Sequence, residues 1–351
     1  MNATLKVAFS PVVYIIETTA FDSTEREWLL GMENIGSFKK AIISLLVTIA
    51  AIAAVAVLFD FICGGRFLLW SNINAMAMSA IVTSFAAWGY CFIFALGYMD
   101  LSVGAASLLA LYAAGIAGNQ IGIPGVVIGG IIVGILLMTI NFNIFAWTKI
   151  PSWIAGIGMC LIYEAFIAWY SAFVQARNTV VVVLEPQYRI LAREPLIYVV
   201  FAIGLIFAYI MYNRTTLGLN VRAIGSNPDV SKIMGIKIPI TLVLTGVVCG
   251  VLVGCNAFLI ISRAGVIHPI TGLGTLFMIF HPLATVLLAQ VLSKRINIIV
   301  AVPFCAYFVY ICFNVLSILG VSAGTLQEAV LGFSVIVFGV IAQRGTKGVV
   351  K

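Results

Sequence analysis

The chain has 351 residues, of which 63% are hydrophobic and 9% charged, with a mean hydropathy of +1.17. Soluble domains carry about a quarter charged residues, so an ordinary soluble protein is excluded. The net charge of +7 is scattered between apolar runs rather than gathered on one face of a soluble domain, which excludes a nucleic-acid partner. An all-α polytopic protein with the lipid bilayer as its partner is expected.

Residues 1–40 read as a cytoplasmic N-terminal extension. The apolar run from Val12 to Ile16 is short for a signal peptide and is followed by Glu17, Asp22, Glu25, Glu27 and Glu33. Thr24 and Glu27 fit a capping box, and two readings stand, a surface helix from about Glu25 to Glu33 or a disordered tail. Residues 41–343 read as the transmembrane domain and 344–351 as a cytoplasmic tail. Stretches 101–148, 238–262, 264–293 and 296–327 contain no Asp, Glu, Lys or Arg. Because a spanning helix needs about 20 mostly apolar residues, breaks at polar, Gly and Pro residues give ten candidate spans. These are 41–59, 73–97, 101–118, 124–147, 151–173, 196–213, 240–262, 273–292, 296–318 and 327–342.

Between the second and third candidates, Asp100, Ser102 and Ser107 interrupt the apolar run. A carboxylate at this depth must be paired or wetted. Asp100 is read either as a cap for the next helix, assisted by Ser102, or as part of the lining of a solute path, with Tyr98 beside it. In the fourth span, Asn141 and Asn143 are about 200° apart on a helix and cannot face one cavity. Interhelical hydrogen bonding is the default role for them and for Asn72, Asn74, Asn256, Gln290 and Asn314. Glu164, at the centre of the fifth span near Tyr163 and Trp169, is read either as pore lining or as a structural hydrogen-bond acceptor.

The loop 214–239 is long, polar and basic. Within it, Asn227 is placed to cap a short helix, Pro228 to open it, Asp229 to meet the positive end of its dipole and Gly235 to end it. Val230, Ile233 and Met234 fall on one face, away from Asp229, Ser231 and Lys232. Such a stripe needs a partner or a lipid surface to cover it. With the N-terminus in the cytoplasm, ten spans leave Arg66, Arg177, Arg189, Arg193 and Arg263 as the only basic residues outside, of 19 Lys and Arg in all. By the positive-inside rule this loop is cytoplasmic.

The sequence contains no GxxxxGK[ST] phosphate loop and no HExxH motif. No cofactor, metal or catalytic group is expected in the chain, which is read as no enzyme. The seven cysteines read as small core residues, and His268 and His281, each before a proline, as loop or interface residues.

The run Asp100 to Gly104, preceded by Gly97, resembles the GGIDLSVG motif of the permease subunits of ribose- and galactoside-type ATP-binding cassette importers. Gly218, Ala223, Ile224, Gly225, Asn227 and Gly235 stand at matching positions of that family's T-R-F-G…A-I-G-G-N…S-G loop. Ser71 to Ile73, Ile140 with Asn141, and Leu319 to Ser322 followed by Gln327 extend the likeness from about residue 70 to the C-terminus. The resemblance implies a multi-pass subunit of a prokaryotic cytoplasmic membrane, with a second permease subunit, an extracytoplasmic substrate-binding protein and a cytoplasmic ATP-binding cassette subunit as partners. ATP would be used by that partner. It also implies that the helix at 227–235 is the coupling helix, with Arg222, Asn227, Pro228, Asp229, Val230, Lys232, Ile233, Met234 and Gly235 at the ATPase contact. From the residues themselves, Tyr98, Asp100, Ser102, Asn141 and Glu164 are the candidates for the substrate path.

The chain departs from the family pattern at Tyr98, at Phe142 and at Ile150 to Ile154. The acidic, glycine-rich tract expected after the seventh span is replaced by the apolar segment 272–293. A divergent subunit that pairs with a more typical permease is therefore expected, with a homodimer as the alternative. A monosaccharide is the expected solute, with a nucleoside, autoinducer-2 or a branched-chain amino acid as alternatives. An ion-coupled secondary transporter or channel is the alternative from a different class, and would rely on a mid-membrane carboxylate such as Glu164.

Overall fold

The computed structural model describes residues 57–148, 150–175, 182–293, 295–320 and 325–343. The extension 1–40, nearly all of the first candidate span and the tail 344–351 lie outside the described residues. Of the described residues, 57–68 belong to one unit and those from Leu69 onward to a second. In the first, residues 57–62 are helical, and Asp60 Oδ1 accepts the Leu68 amide at 2.9 Å.

Among the described residues, the elements of the second unit are helices: α1 (Trp70–Ala95), α2 (Val103–Ile121), α3 (Ile123–Thr148), α4 (Ser152–Gln175), a 3₁₀ segment (Pro186–Ala192), α5 (Leu196–Asn213), α6 (Thr216–Ser226), α7 (Pro228–Ile233), α8 (Ile238–Ala264), α9 (Leu276–Leu292), α10 (Ile298–Ile318) and α11 (Thr325–Gln343), with one isolated β-bridge between Val183 and Val266. Nine of these fall on the second to tenth candidate spans. Among the described residues, α1, α3, α4, α5, α8 and α10 are long and apolar enough to cross a membrane, and α9 and part of α11 are shorter apolar helices. α2 is rich in Ala and Gly and buried along much of its length. Its small residues let neighbouring helices approach it closely. The chain is a polytopic membrane protein.

α1 and α8 lie at the centre. Phe85, Trp88, Phe92 and Ile93 of α1 are fully buried, and the Trp88 indole donates to the Ile299 carbonyl at 2.9 Å. α8 is pressed against α3 along a glycine seam. A Cβ on Gly134 would lie 2.5 Å from the Gly250 carbonyl oxygen, and one on Gly250 would lie 2.4 Å from the Ile135 Cα. Without a hydrophobic drive between helices in lipid, such close backbone approach supplies the van der Waals packing that holds them. Paired amides add cross-links. Asn72 and Asn314 exchange hydrogen bonds of 2.9 and 2.7 Å between α1 and α10. Asn213 at the end of α5 receives a bond from Asn297, at the start of α10, at 2.7 Å.

Candidate solute path and coupling surface

The α1–α2 junction is a buried polar knot. Gly97 takes a positive φ of 76°, which turns the chain back after α1 and carries Asp100 into the interior, where it is 0% exposed. Asp100 Oδ1 accepts from the Ser102 amide at 2.8 Å and the Ser102 hydroxyl at 2.7 Å, while Oδ2 accepts from Asn141 Nδ2 at 3.3 Å. Asn141 Nδ2 also donates to Ser102 Oγ. The remaining side of Asn141 accepts from the Tyr163 hydroxyl at 2.7 Å, and Tyr90 donates to the Asp100 carbonyl at 3.0 Å. Residues from α1, the α1–α2 junction, α3 and α4 thus share one network. Asp100 organises the entry to α2 as a short Asx turn; Ser102 occupies the cap position, but its hydroxyl turns back to Asp100 instead of bonding helical amides.

Glu164 has a comparable role at another helix start. Its Oε1 accepts the Thr275 amide at 2.9 Å and the Thr275 hydroxyl at 2.6 Å, and its Oε2 accepts the Leu273 amide at 2.8 Å. These donors lie at the entrance of α9, where a carboxylate faces the positive end of the helix dipole. Leu273 adopts φ 65°, a left-handed conformation that costs a side-chain-bearing residue about 1–3 kcal/mol, and the bond its amide donates to Glu164 helps hold it. Tyr163 joins the Asp100 network, whereas Trp169 is exposed and stacks on Phe173.

Tyr98 stands apart from both sets. It packs edge-on against Phe145 and lines a cavity of about 1470 Å³, whose wall also includes Trp153, Lys237 and Leu283. Pro228, Asp229 and Lys232 of α7 line the same cavity. Asn143 points away from the Asp100 network, bonding the carbonyl of Thr139 in its own helix at 2.8 Å. His281 corrects the expectation of a loop or interface residue: it lies in the body of α9, where its ring stacks on Tyr310 and packs against Phe313.

The short helix α7 follows its sequence signals closely. Asn227 Oδ1 accepts the Asp229 and Val230 amides at 3.1 Å each, Pro228 opens the helix, and Gly235 ends it at φ 84°. Ser231 is buried and bonds the Asn227 carbonyl, fixing the inner face. Val230, Ile233 and Met234 are 49%, 86% and 73% exposed. α6 braces this helix from behind: a Cβ on Gly225 would overlap the Ala95 carbonyl, so only glycine lets α6 lie against the end of α1. Arg222 is turned inward, donating to the Tyr212 carbonyl at 2.7 Å with its guanidinium 5.0 Å from the Tyr212 ring centre. It braces the loop and does not share the exposed stripe. Among the described residues, no three His, Cys, Asp or Glu side chains converge as a metal site.

Residues 72–341 match the family described as "Branched-chain amino acid transport system / permease component". The chain belongs to this permease family. Similar proteins include the fructose import permease protein FrcC of Rhizobium meliloti, 24% identical over 73% of this chain and 73% of that protein. The D-allose transport system permease protein AlsC of Escherichia coli is 27% identical over 65% of this chain and 70% of its own length. The xylose transport system permease protein XylH of Escherichia coli is 23% identical over 71% and 80%, respectively. No solved structure matches the chain. As a permease component, the protein is the membrane subunit of a transport system and not its ATPase, and at these identities it is a divergent one.

Proposed function

We propose that this permease forms half of the translocation path of an ATP-driven importer of a monosaccharide in a prokaryotic cytoplasmic membrane. In this reading it has ten spans with both termini in the cytoplasm, and α7 is the coupling helix. ATP is bound by a separate cassette subunit, and a substrate-binding protein delivers the solute from outside. The observation that carries the reading is the stripe Val230, Ile233 and Met234. Three apolar side chains stand exposed on a helix capped at both ends and anchored through Ser231, and a rigid, buried mount is what a force-transmitting contact needs. The names of the relatives, permeases for fructose, allose and xylose, favour a monosaccharide. An ion-coupled mechanism draws little support from Glu164, whose two oxygens already accept three hydrogen bonds at the start of α9.

The altered tract 272–293, which supplies α9, supports pairing with a second, different permease subunit. Purification of the chain with its genomic-neighbour ATPase tests the coupling assignment. The double substitution Ile233→Asp with Met234→Asp is expected to release the ATPase while leaving the permease folded. Solute uptake driven by an ion gradient without ATP would overturn the importer reading, and full transport by this chain as the sole permease would overturn the heterodimer.

A further inference from the structure

A second cavity, of about 180 Å³, lies among α1, α2, α8, α9 and α10. It is separate in its lining from the large cavity under Tyr98. Side chains with hydrogen-bonding groups converge on it from all five helices: Thr83, Ser107, Asn256, His281 and Tyr310. Within apolar spans such residues are costly and need partners. Most have one. Ser107 donates to Asn256 Oδ1 at 2.9 Å, Asn256 Nδ2 donates to the Val82 carbonyl at 2.8 Å, and Thr83 and Tyr310 share a hydrogen bond of 2.7 Å.

His281 does not. Its ring is held face to face with Tyr310, with centres 5.5 Å apart and 20° between planes, and no hydrogen bond engages either ring nitrogen among the described residues. The next residue, Pro282, has no amide to bond the Met278 carbonyl one turn earlier, and Met278 and Pro282 both line the same cavity. α9 therefore brings an unused imidazole and a loosened turn of backbone to one place, as expected of a membrane helix beside a wetted site.

The lining also limits the occupant. No Asp, Glu, Lys or Arg contributes to it, so a zwitterionic amino acid would enter without a counter-charge. Its volume is below the roughly 300–1,000 Å³ of sites for drug-sized ligands, which favours a single small ring. An apolar wall with a few placed donors and acceptors, and an aromatic pair on one side, suits a neutral polyhydroxylated ring.

We propose that this cavity is a mid-membrane binding site for one monosaccharide, with His281 and Asn256 reading its hydroxyls. The assignment rests on the importer reading above. The test uses the full transporter, with its ATPase and binding protein, in proteoliposomes. Fructose, allose, galactose and xylose are supplied in competition, alongside uridine and leucine. His281→Phe keeps the ring stack and removes the hydrogen-bonding nitrogens. It is expected to change the uptake ratio of at least two of the sugars tenfold or more, with His281→Gln recovering part of the original preference. Ser107→Ala, which scarcely alters volume, is expected to shift the same ratio several-fold. Ratios that stay within twofold in both variants while sugar uptake persists would overturn the site and leave the importer reading standing. Uptake of uridine or leucine in place of every sugar would overturn the monosaccharide assignment itself, and this site with it.

Discussion

The α1–α2 junction and the 214–237 loop are the two places where polar residues most visibly interrupt this hydrophobic chain, yet they are built in opposite senses. At the junction, Asp100, Ser102 and Asn141 are all 0% exposed and spend their hydrogen-bonding capacity on one another and on Tyr163. In the loop, Asn227 and Ser231 cap and anchor α7, and the apolar side chains of Val230, Ile233 and Met234 are left exposed. At the junction polarity makes a lock, and in the loop it is apolar side chains that stand exposed. Residue type alone points the other way at both places.

The sharpest break of this comparison comes from the exposed stripe. Ile233→Asp with Met234→Asp removes two apolar contacts and puts charge into the proposed interface. Interface anchors of this kind cost about 2 kcal/mol or more each when lost, so ATPase retention on an affinity column is expected to fall well over tenfold. Thermal stability of the isolated permease is expected to stay unchanged, because neither side chain packs on the fold. The locked region should behave in reverse. Glu164→Ala leaves the Leu273 and Thr275 amides without their acceptor beside a left-handed residue, at about 1–3 kcal/mol for each buried donor left unsatisfied. A lower unfolding temperature in detergent is expected, with Glu164→Gln recovering only part of it because an amide has one carbonyl oxygen for three donors. Asp100→Ala is expected to destabilise to a similar or slightly smaller extent, with Ser102 and Asn141 able to keep their mutual bond. A variant of either carboxylate that folds normally but loses transport would instead make it a solute contact.

Much of the fold is legible in the sequence because lipid imposes a simple rule. Apolar runs near 20 residues become helices, and nine candidate spans coincide with observed helices to within a few residues. The α7 helix is legible for a different reason: Asn227, Pro228 and Gly235 act locally, through one turn of backbone, and need no tertiary context. The partners of Asp100 and Glu164 are a different matter. Ser102 lies two residues from Asp100, but Asn141 is 41 residues away, and Thr275 is 111 residues from Glu164. Spacing cannot reveal pairings between helices so distant in the chain. His281 was obscured by Pro282, which reads as a loop signal in isolation. Within a membrane helix the same proline is tolerated, because surrounding helices shelter the freed carbonyl.

The smallest expected effect separates the two uses of polar groups within the loop itself. Asn227 supports α7 by accepting two amides, and the Lys232 side chain lies exposed on the same helix with no part in that N-cap. Loss of an Asn cap costs about 1 kcal/mol, whereas an exposed lysine contributes little to stability. Asn227→Ala should therefore weaken ATPase retention several-fold, since the apolar stripe would be presented by a frayed helix, and Lys232→Ala should change it by less than twofold. Hydrogen exchange at the Asp229 and Val230 amides supplies the physical check. It should accelerate in Asn227→Ala, where those donors lose their acceptor, and stay unchanged in Lys232→Ala. Equal losses in the two variants would mean that charge on α7, and not its rigid apolar face, carries the contact.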